Sequence, residues 1–420
     1  MKVYKFGGAS VKDANGVRNA VRVLESSGVS GKVVVISAMG KMTNALEEVV
    51  REYLGQGNHK ENLEAVRGFH QQIIKDLFPV GQPSVFSRID ALFSDLNNFL
   101  EHNRSENYDY VYDQVIVYGE LLSTRIMSAY LESRGHQNMW LDARSCIRTD
   151  STYRDAQVQW EETQEQIIAQ VDPGGLTVTQ GFIGADDNNF STSLGREGSD
   201  YTAAIFAYCL DCDSVTIWKD VPGVLNADPR SFPQPVLLRQ ISYEEAIELA
   251  FYGASVIHPK TLQPLQRKEI PLFVKSFVVP SEEGTVVRKG PGISPKVPCF
   301  IVKRNQVLIS LSSLDFSFIM EKNISHIFAL FHQYQIKVDL IQNSAISFSV
   351  CVDNKFNNLE KLIRQLKATF RVSCREGVDL YTVRHFDSTA VKNLEKDKEI
   401  LLRQSTQETT QIVVSGSYAS

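Results

Sequence analysis

A short apolar strand running straight into two glycines constrains this chain more than any other stretch. Val3, Tyr4 and Phe6 form the strand, Gly7 and Gly8 follow at once, and a helical pattern begins soon after. A Gly-Gly turn between strand and helix brings bare backbone N–H groups to the strand's carboxyl end, a common way to hold phosphate. Lys5 adds a point charge beside it. The spacing is neither the Walker pattern nor the dinucleotide fingerprint. A purely structural turn would use two glycines equally well. A second stretch, Gly195-Arg196-Glu197-Gly198-Ser199-Asp200, also precedes a helical pattern and favours the ligand reading.

The 420 residues suffice for two or three domains with proper cores. With 43% hydrophobic and 22% charged residues, the balance is that of an ordinary soluble globular protein. A net charge of -5 gives no ground for a nucleic-acid or anionic-membrane partner. No apolar run reaches membrane-spanning length, and Lys5 with the glycines interrupts any signal-peptide core. Six cysteines in such a length are no disulfide framework. Cys209 and Cys212 lack a second pair or a His cluster, so no metal site is expected and Cys209 reads as a packed core thiol. A reducing cytoplasm fits.

Val17, Ala20, Val21 and Leu24 recur at helical spacing, so the first helix lays one apolar face on a sheet. Lys32 to Ile36 is a β-branched run of the kind buried in parallel sheets. It ends in Ser37-Ala38-Met39-Gly40-Lys41-Met42-Thr43, small and hydroxyl-bearing residues where open α/β sheets bind ligands. Residues 45–100 carry helical patterns broken at Phe78-Pro79 and Gly81-Gln82-Pro83, a scaffold in which His70 and His102 are surface or packing residues. A further helix covers residues 114–133 and contains Gly119-Glu120 beside Leu121, Leu122, Ile126 and Met127. A carboxylate there is costly unless paired. Either this turn is exposed or Glu120 awaits a cationic ligand group.

Leu176 to Gln180 is a strand, residues 186–193 a hairpin tip, and Tyr201 to Leu210 a helix that Ser199 or Asp200 is placed to cap. The strand Val215 to Trp218 runs into Lys219-Asp220-Val221-Pro222-Gly223, and Asn226-Ala227-Asp228-Pro229-Arg230 makes a second turn. These turns suit an anionic, ribose-bearing ligand, although a plain surface loop would look alike. Ser242 and Glu245 form a capping box for the next helix. Strand and helix alternate from residue 3 to about 279, which predicts an α/β fold with a mostly parallel open sheet and helices on both faces. Residues 280–299 are rich in Pro and Gly and read as a linker. Residues 300–376 follow the β-α-β-β-α-β order of a ferredoxin-like unit. Residues 377–414 resemble half of a second unit, and 415–420 read as a loose tail.

The motifs that begin at Lys5, Gly119, Gly195, Trp218, Asp228 and Gly253 (the last running to His258-Pro259) occur in one order across nearly the whole chain, and together they resemble aspartokinase. That family belongs to the amino-acid kinases, and its C-terminal ferredoxin-like units are ACT domains that sense end-product amino acids. The resemblance implies phosphorylation of the L-aspartate side-chain carboxylate by ATP, the first step toward lysine, threonine and methionine. Mg²⁺ would arrive with ATP, held mainly by phosphates and water. Phosphoryl transfer of this kind needs positioning and charge stabilisation. Lys5 would lie over the γ-phosphate, with Gly7, Gly8 and Ser10 around the phosphates. Asp200 would hold Lys5, and it is no base, because the nucleophile is already a carboxylate. Ser37 and Ser199 would line the reacting centre. Arg196 would grip a substrate carboxylate, Glu120 the substrate ammonium, and Thr43 the amino acid. Lys219, Asp220, Leu225, Arg230, Ser255 and Val256 match nucleotide-contact positions.

Three positions depart from the family pattern. Glu197 stands where Gly is usual, Lys219 replaces a Thr, and Ser255 replaces a common Lys. Lys219 is expected to restore the charge lost at position 255. In the first ACT unit Asp339 and Ser344 match effector-binding positions, with Asp339 meeting an effector's ammonium group. Gln342-Asn343-Ser344-Ala345 lacks the acidic residue of many lysine-sensitive members, which leaves lysine, threonine, both or neither open. ACT pairing implies at least a homodimer. Nothing after Val414 supplies the last helix and strand of the second unit, and the absence of a dehydrogenase extension implies a monofunctional enzyme. The competing readings are an amino-acid kinase acting on a glutamate-type substrate and a catalytically silent amino-acid sensor.

Overall fold

In the computed structural model, which describes residues 1–254, 257–315 and 317–416, the strand β1 (Lys2–Phe6) lies inside a nine-stranded sheet. Its partners among the described residues are β2 (Lys32–Ile36), β3 (Met139–Leu141), β4 (Leu176–Gln180), β7 (Ser214–Lys219), β8 (Gln240–Ile241), β9 (Leu272–Ser276), β10 (Thr285–Val287) and β11 (Ile293–Ser294). A small hairpin, β5 (Ile183–Ala185) with β6 (Ser191–Ser193), stands apart. The order is β11-β8-β10-β9-β7-β1-β2-β4-β3. β1 pairs in parallel with β2 and β7, with Phe6 level with both Ile36 and Trp218; β9–β10 is antiparallel. Every residue of β2 is buried, as expected of a strand covered on both faces.

The helices of this unit are α1 (Ala14–Ser26), α2 (Met42–Leu54), α3 (His59–Leu77), α4 (Pro83–His102), α5 (Tyr108–Ser133), α6 (Trp160–Gln170), α7 (Gly198–Cys209), α8 (Tyr243–Tyr252) and α9 (Pro259–Arg267). One core joins Val17, Val21 and Leu24 of α1 to Phe6, Ile36 and Trp218 of the sheet and to Leu46, Phe93 and Ile126 of the helical scaffold. His70 is fully buried there, its Nδ1 2.8 Å from the Val66 carbonyl, and burial lowers its pKa to about 4. That makes it a neutral packing residue, whereas His102 lies exposed on the Asn98 carbonyl.

Contacts divide the chain into two units, the first comprising Met1–Val224, Leu237–Ile247 and 257–293, the second Leu225–Val236, Glu248–Ala254 and 294–416. The Pro/Gly-rich stretch read as a linker thus contributes β10 and β11 to the first sheet. Runs of two and three residues are too short to register as strands in a sequence.

The second unit has a six-stranded antiparallel sheet of order β13-β14-β12-β15-β17-β16. Its strands are β12 (Cys299–Ser313), β13 (Lys337–Asn343), β14 (Ser347–Asp353), β15 (Phe370–Arg384), β16 (Ile400–Ser405) and β17 (Thr409–Ser415); its helices are α10 (Glu321–Gln333), α11 (Leu359–Leu366) and α12 (Ser388–Glu395). β12 and β15 are each fifteen residues long and pair along their whole length, so the two ACT-like halves share them. The first five residues of β12, Cys299 to Lys303, pair with Arg384 to Leu380 and give the second ACT-like half a strand from the N-terminal side. Within residues 377–414, α12 stops at Glu395 and β16 begins at Ile400, with Leu402 in the strand.

Candidate active site

The site is assembled at the carboxyl ends of β1, β2 and β4. After Phe6 the chain enters a short 3₁₀ turn, Gly8–Val11, and Ser10 N–H donates to the Gly7 carbonyl at 2.9 Å. A methyl group added to Gly8 would lie 2.6 Å from the Ala38 carbonyl and 2.8 Å from that of Gly40, so only glycine allows this approach of two loops. Ser10 Oγ donates to the Trp218 carbonyl at 3.3 Å and ties the turn to β7.

Lys5 folds back over this turn. A methyl on Gly7 would come 3.3 Å from its Nζ. The ammonium pairs with Asp200 Oδ1 at 2.7 Å, and Asp200 is wholly buried. Lys219 Nζ lies 3.4 Å from the other oxygen, Oδ2. Burial works to raise the Asp200 pKa, but the two ammonium groups outweigh it and hold the carboxyl below its ordinary value.

Asp200 does not cap α7, and neither does Ser199. The helix begins at Gly198, so both lie in its first turn, and Glu197 is the N-cap residue without a side-chain cap bond. Ser and Asp near a helix start look alike as caps or first-turn residues in sequence. Glu197 has φ 55°, in the left-handed region, which explains why glycine suits that position. Its side chain is exposed. Ser199 presses on Gly181 at the end of β4, where an added methyl would lie 2.4 Å from Ser199 Cβ.

Glu120 is buried, not on an exposed turn of α5. Its Oε1 accepts from Ala38 N–H at 3.3 Å, while Oε2 has no partner. Burial raises its pKa to about 8. Ser123, one turn on, donates to the Ser37 carbonyl at 2.7 Å. Lys5, Gly7, Gly8, Ser37, Glu120, Ser199 and Asp200 are therefore linked through direct contacts of the three strand ends. Thr43 is half-buried in the first turn of α2, Asp220 is exposed after β7, and Arg196 is exposed in the turn before α7. Leu225 and Arg230 belong to the second unit, where Arg230 is exposed and forks onto Asp228. Ser255 and Val256 lie outside the described residues.

Sequence reasoning missed three supporting groups. The Ala38 N–H, which holds Glu120, leaves no side-chain signal. Gly181 stood in view as a glycine ending a strand. Buried Asp113 accepts from Ser193 N–H at 2.8 Å, Ser193 Oγ at 2.6 Å and Arg154 N–H at 3.0 Å, so it clamps the hairpin that leads into Gly195. Its signal was an acid on the apolar α5, like Glu120.

In the second unit, Asp339 sits at a register shift in the β13–β14 pairing, its side chain 5% exposed. Lys303 Nζ pairs with it at 2.8 Å and Lys337 Nζ at 3.6 Å. Ser344 is exposed and shares a hydrogen bond with Ser347 at 2.6 Å.

A mostly parallel sheet whose inner strand ends in a Gly-Gly turn, with a buried Lys–Asp pair and a buried carboxylate that has one oxygen unpartnered, fits a phosphoryl-transfer enzyme of the amino-acid kinase class. Residues 1–276 match the amino acid kinase family. The chain is 34% identical over 390 residues to lysine-sensitive aspartokinase 3 of Escherichia coli, covering 90% of this chain and 85% of the relative. Crystal structures of E. coli aspartokinase III superpose with TM-scores of 0.82 for the complex with lysine and aspartate and 0.81 for that with aspartate and ADP. Both are 30% identical, with 99% of this chain and 96% of the other covered. Against the bifunctional aspartokinase/homoserine dehydrogenase 2 of Arabidopsis thaliana, 28% identical over 393 residues, it spans 42% of the relative's length. The chain belongs to the aspartokinases of the amino acid kinase family.

Proposed function

We propose that this chain transfers the γ-phosphoryl group of ATP to the side-chain carboxylate of L-aspartate, giving ADP and 4-phospho-L-aspartate on the route to lysine, threonine and methionine. The observation that carries this reading is the buried Lys5–Asp200 ion pair lying over Gly7 at the end of β1. A carboxylate oxygen of aspartate forms the new bond to phosphorus, the bond to the leaving ADP breaks, and no proton transfer is needed. Lys5 meets the charge that spreads over the phosphoryl oxygens. Asp200 keeps that ammonium oriented. The Gly7 and Gly8 backbone and Ser10 cradle phosphate, while Ser37 and Ser199 line the centre.

Glu120 selects a substrate carrying an ammonium group, because a cation stabilises the carboxylate that burial otherwise keeps protonated. Arg196 and Thr43 complete the grip on the amino acid, and Asp220 faces the nucleotide. Mg²⁺ enters with ATP as part of the substrate. Phosphate oxygens and water are the ligands such a cation favours.

An end-product amino acid binds at β13 through Asp339 and Ser344. Lysine is favoured by the lysine complex of the E. coli relative. β13 lies at the edge of its sheet with Ile341 41% exposed, which supports pairing of two chains through this unit. No helix among the described residues is long and apolar enough to cross a membrane; the free cysteines favour a reducing cytoplasm.

Hydroxylamine trapping of the acyl phosphate tests the reading. Aspartate with ATP should give hydroxamate, while glutamate and acetylglutamate should give little. Preference for either of the latter would displace aspartate, and no product with any acid would leave a sensor.

A further inference from the structure

We propose that the sheet face opposite Lys5 carries a second ligand site, a basic and aromatic cavity that takes an organic phosphate of nucleoside-monophosphate size. Side chains alternate along a strand, so Lys2, Tyr4 and Phe6 of β1 face away from Lys5. Register sets Ser214 of β7 beside Lys2, Thr216 beside Tyr4 and Trp218 beside Phe6. Across β7, Phe273 and Lys275 of β9 stand level with Thr216 and Trp218. The chain after β9 is tied to α1, because Asn19 Nδ2 donates to the Phe277 carbonyl at 2.6 Å. Ser276 Oγ accepts from the N–H groups of Val278 and Val279 at 3.2 and 3.3 Å and fixes the turn. Between α1, this turn and the three strands remains a cavity of about 730 Å³. Small-molecule sites usually have volumes of roughly 300–1,000 Å³.

The lining is one-sided in charge. Lys2, Arg22 and Lys275 give it three cations, and none of its residues is acidic, in a chain whose net charge is -5. Arg22 and Lys275 pair with no carboxylate among the described residues; the Lys275 ammonium lies 5.6 Å over the Trp218 ring. Asp213, next to Ser214, is already paired with the Met1 ammonium at 2.8 Å. Like charges around one cavity repel one another, and an anion placed among them relieves that repulsion. Tyr4, Trp218 and Phe273 supply an aromatic wall. Trp218 is 4% exposed, and its indole N–H has no hydrogen-bond partner among the described residues. A buried donor left unpaired is destabilising, and a ligand acceptor would satisfy it. A phosphate ester with a planar ring answers both halves of the lining: the phosphate meets the cations, and the ring lies on the aromatic wall.

Calorimetric titration of the full chain with GMP, and in parallel with inorganic phosphate, tests the site. Wild type is compared with the double variant Arg22→Gln/Lys275→Gln and with the charge-retaining Arg22→Lys/Lys275→Arg. Wild type should bind GMP, and more tightly than inorganic phosphate. Affinity for GMP should fall roughly tenfold or more in the Gln pair and stay within about threefold of wild type in the charge-retaining pair. Both variants should melt with wild type, since Arg22 is exposed and Lys275 half-buried. No GMP binding by wild type, or equal affinity for GMP and inorganic phosphate, would overturn the proposal. GMP affinity unchanged in the Gln pair would place the nucleotide elsewhere and overturn it too. Equal loss from both pairs would mark a damaged fold and refute the charge argument. Turnover enters none of these readouts, so failure here and failure of the kinase reading are distinguishable.

Discussion

Replacing Glu120 with glutamine should abolish aspartate turnover and, in the same molecule, stabilise the ligand-free protein as pH rises. Burial moves this carboxyl from its ordinary 4.5 to about 8. Between those values the folded chain holds a proton on Glu120 that the unfolded chain has released, so stability falls as pH climbs through the window. Each pH unit costs about 1.4 kcal/mol, roughly 3 kcal/mol by pH 7 and about 5 by pH 8. Glutamine keeps the acceptor for the Ala38 N–H and does not ionise. Its own unpaired amide carries a penalty of about 1–3 kcal/mol, so the pH dependence of the gap is the diagnostic quantity. Relative to wild type, the melting temperature of Glu120→Gln should climb steadily from about pH 5 to pH 8, by on the order of 10 °C in total. Aspartate should raise the melting temperature of wild type, through binding to the folded state alone, and leave the variant where it was. Differential scanning fluorimetry across pH, with and without aspartate, reads both effects. A gap that stays constant with pH would refute the reasoning, as would a variant that aspartate stabilises as strongly as wild type.

Asp200→Asn removes the carboxylate that Lys5 and Lys219 share; we expect a near-complete loss of kcat and about 3–5 kcal/mol of lost stability, read by turnover and by urea unfolding. In wild type the Asp200 contribution is present above the ordinary carboxyl value of 3.8 and is lost as pH falls through the depressed folded value, an acid limb that the Asn variant should lack. Glu197→Gly removes the left-handed strain at φ 55° and should shift stability upward by no more than about 1 kcal/mol, with hydroxamate formation unchanged; a fall in melting temperature would show that the turn needs the carboxylate. Lys303→Met frees Asp339 from its internal ammonium partner, so a titration of activity with lysine should show inhibition at lower concentrations than in wild type, and an unchanged titration would show that Lys303 does not compete for that carboxylate.

The parallel sheet was legible because its strands are continuous β-branched runs and its helices carry clean apolar stripes, as in Lys32–Ile36 and Val17–Leu24. The Lys5 turn was legible for a related reason: glycines at a strand end leave a local mark. Pairing between distant segments leaves none. The match of Cys299–Lys303 with Leu380–Arg384, which merges two apparent ACT units into one sheet, depends on register and on nothing within either segment. Glu120 was visible as a polar residue on an apolar helix, but whether that turn was buried or wet depended on α2 and the loop after β2. The sequence placed Lys219 with the nucleotide; its approach to Asp200 follows from the register of β1 with β7. The left-handed conformation of Glu197 was masked, since glutamate is a poor marker of such a backbone and glycine a good one.

A crystal structure with L-aspartate and the β,γ-imido analogue of ATP tests the central claim most directly. The account predicts the Lys5 ammonium group within about 3 Å of the γ-phosphoryl oxygens, Asp200 still paired with it, and the substrate ammonium on Glu120. A γ-phosphate bound away from Lys5, or an aspartate that leaves Glu120 unpartnered, would contradict it.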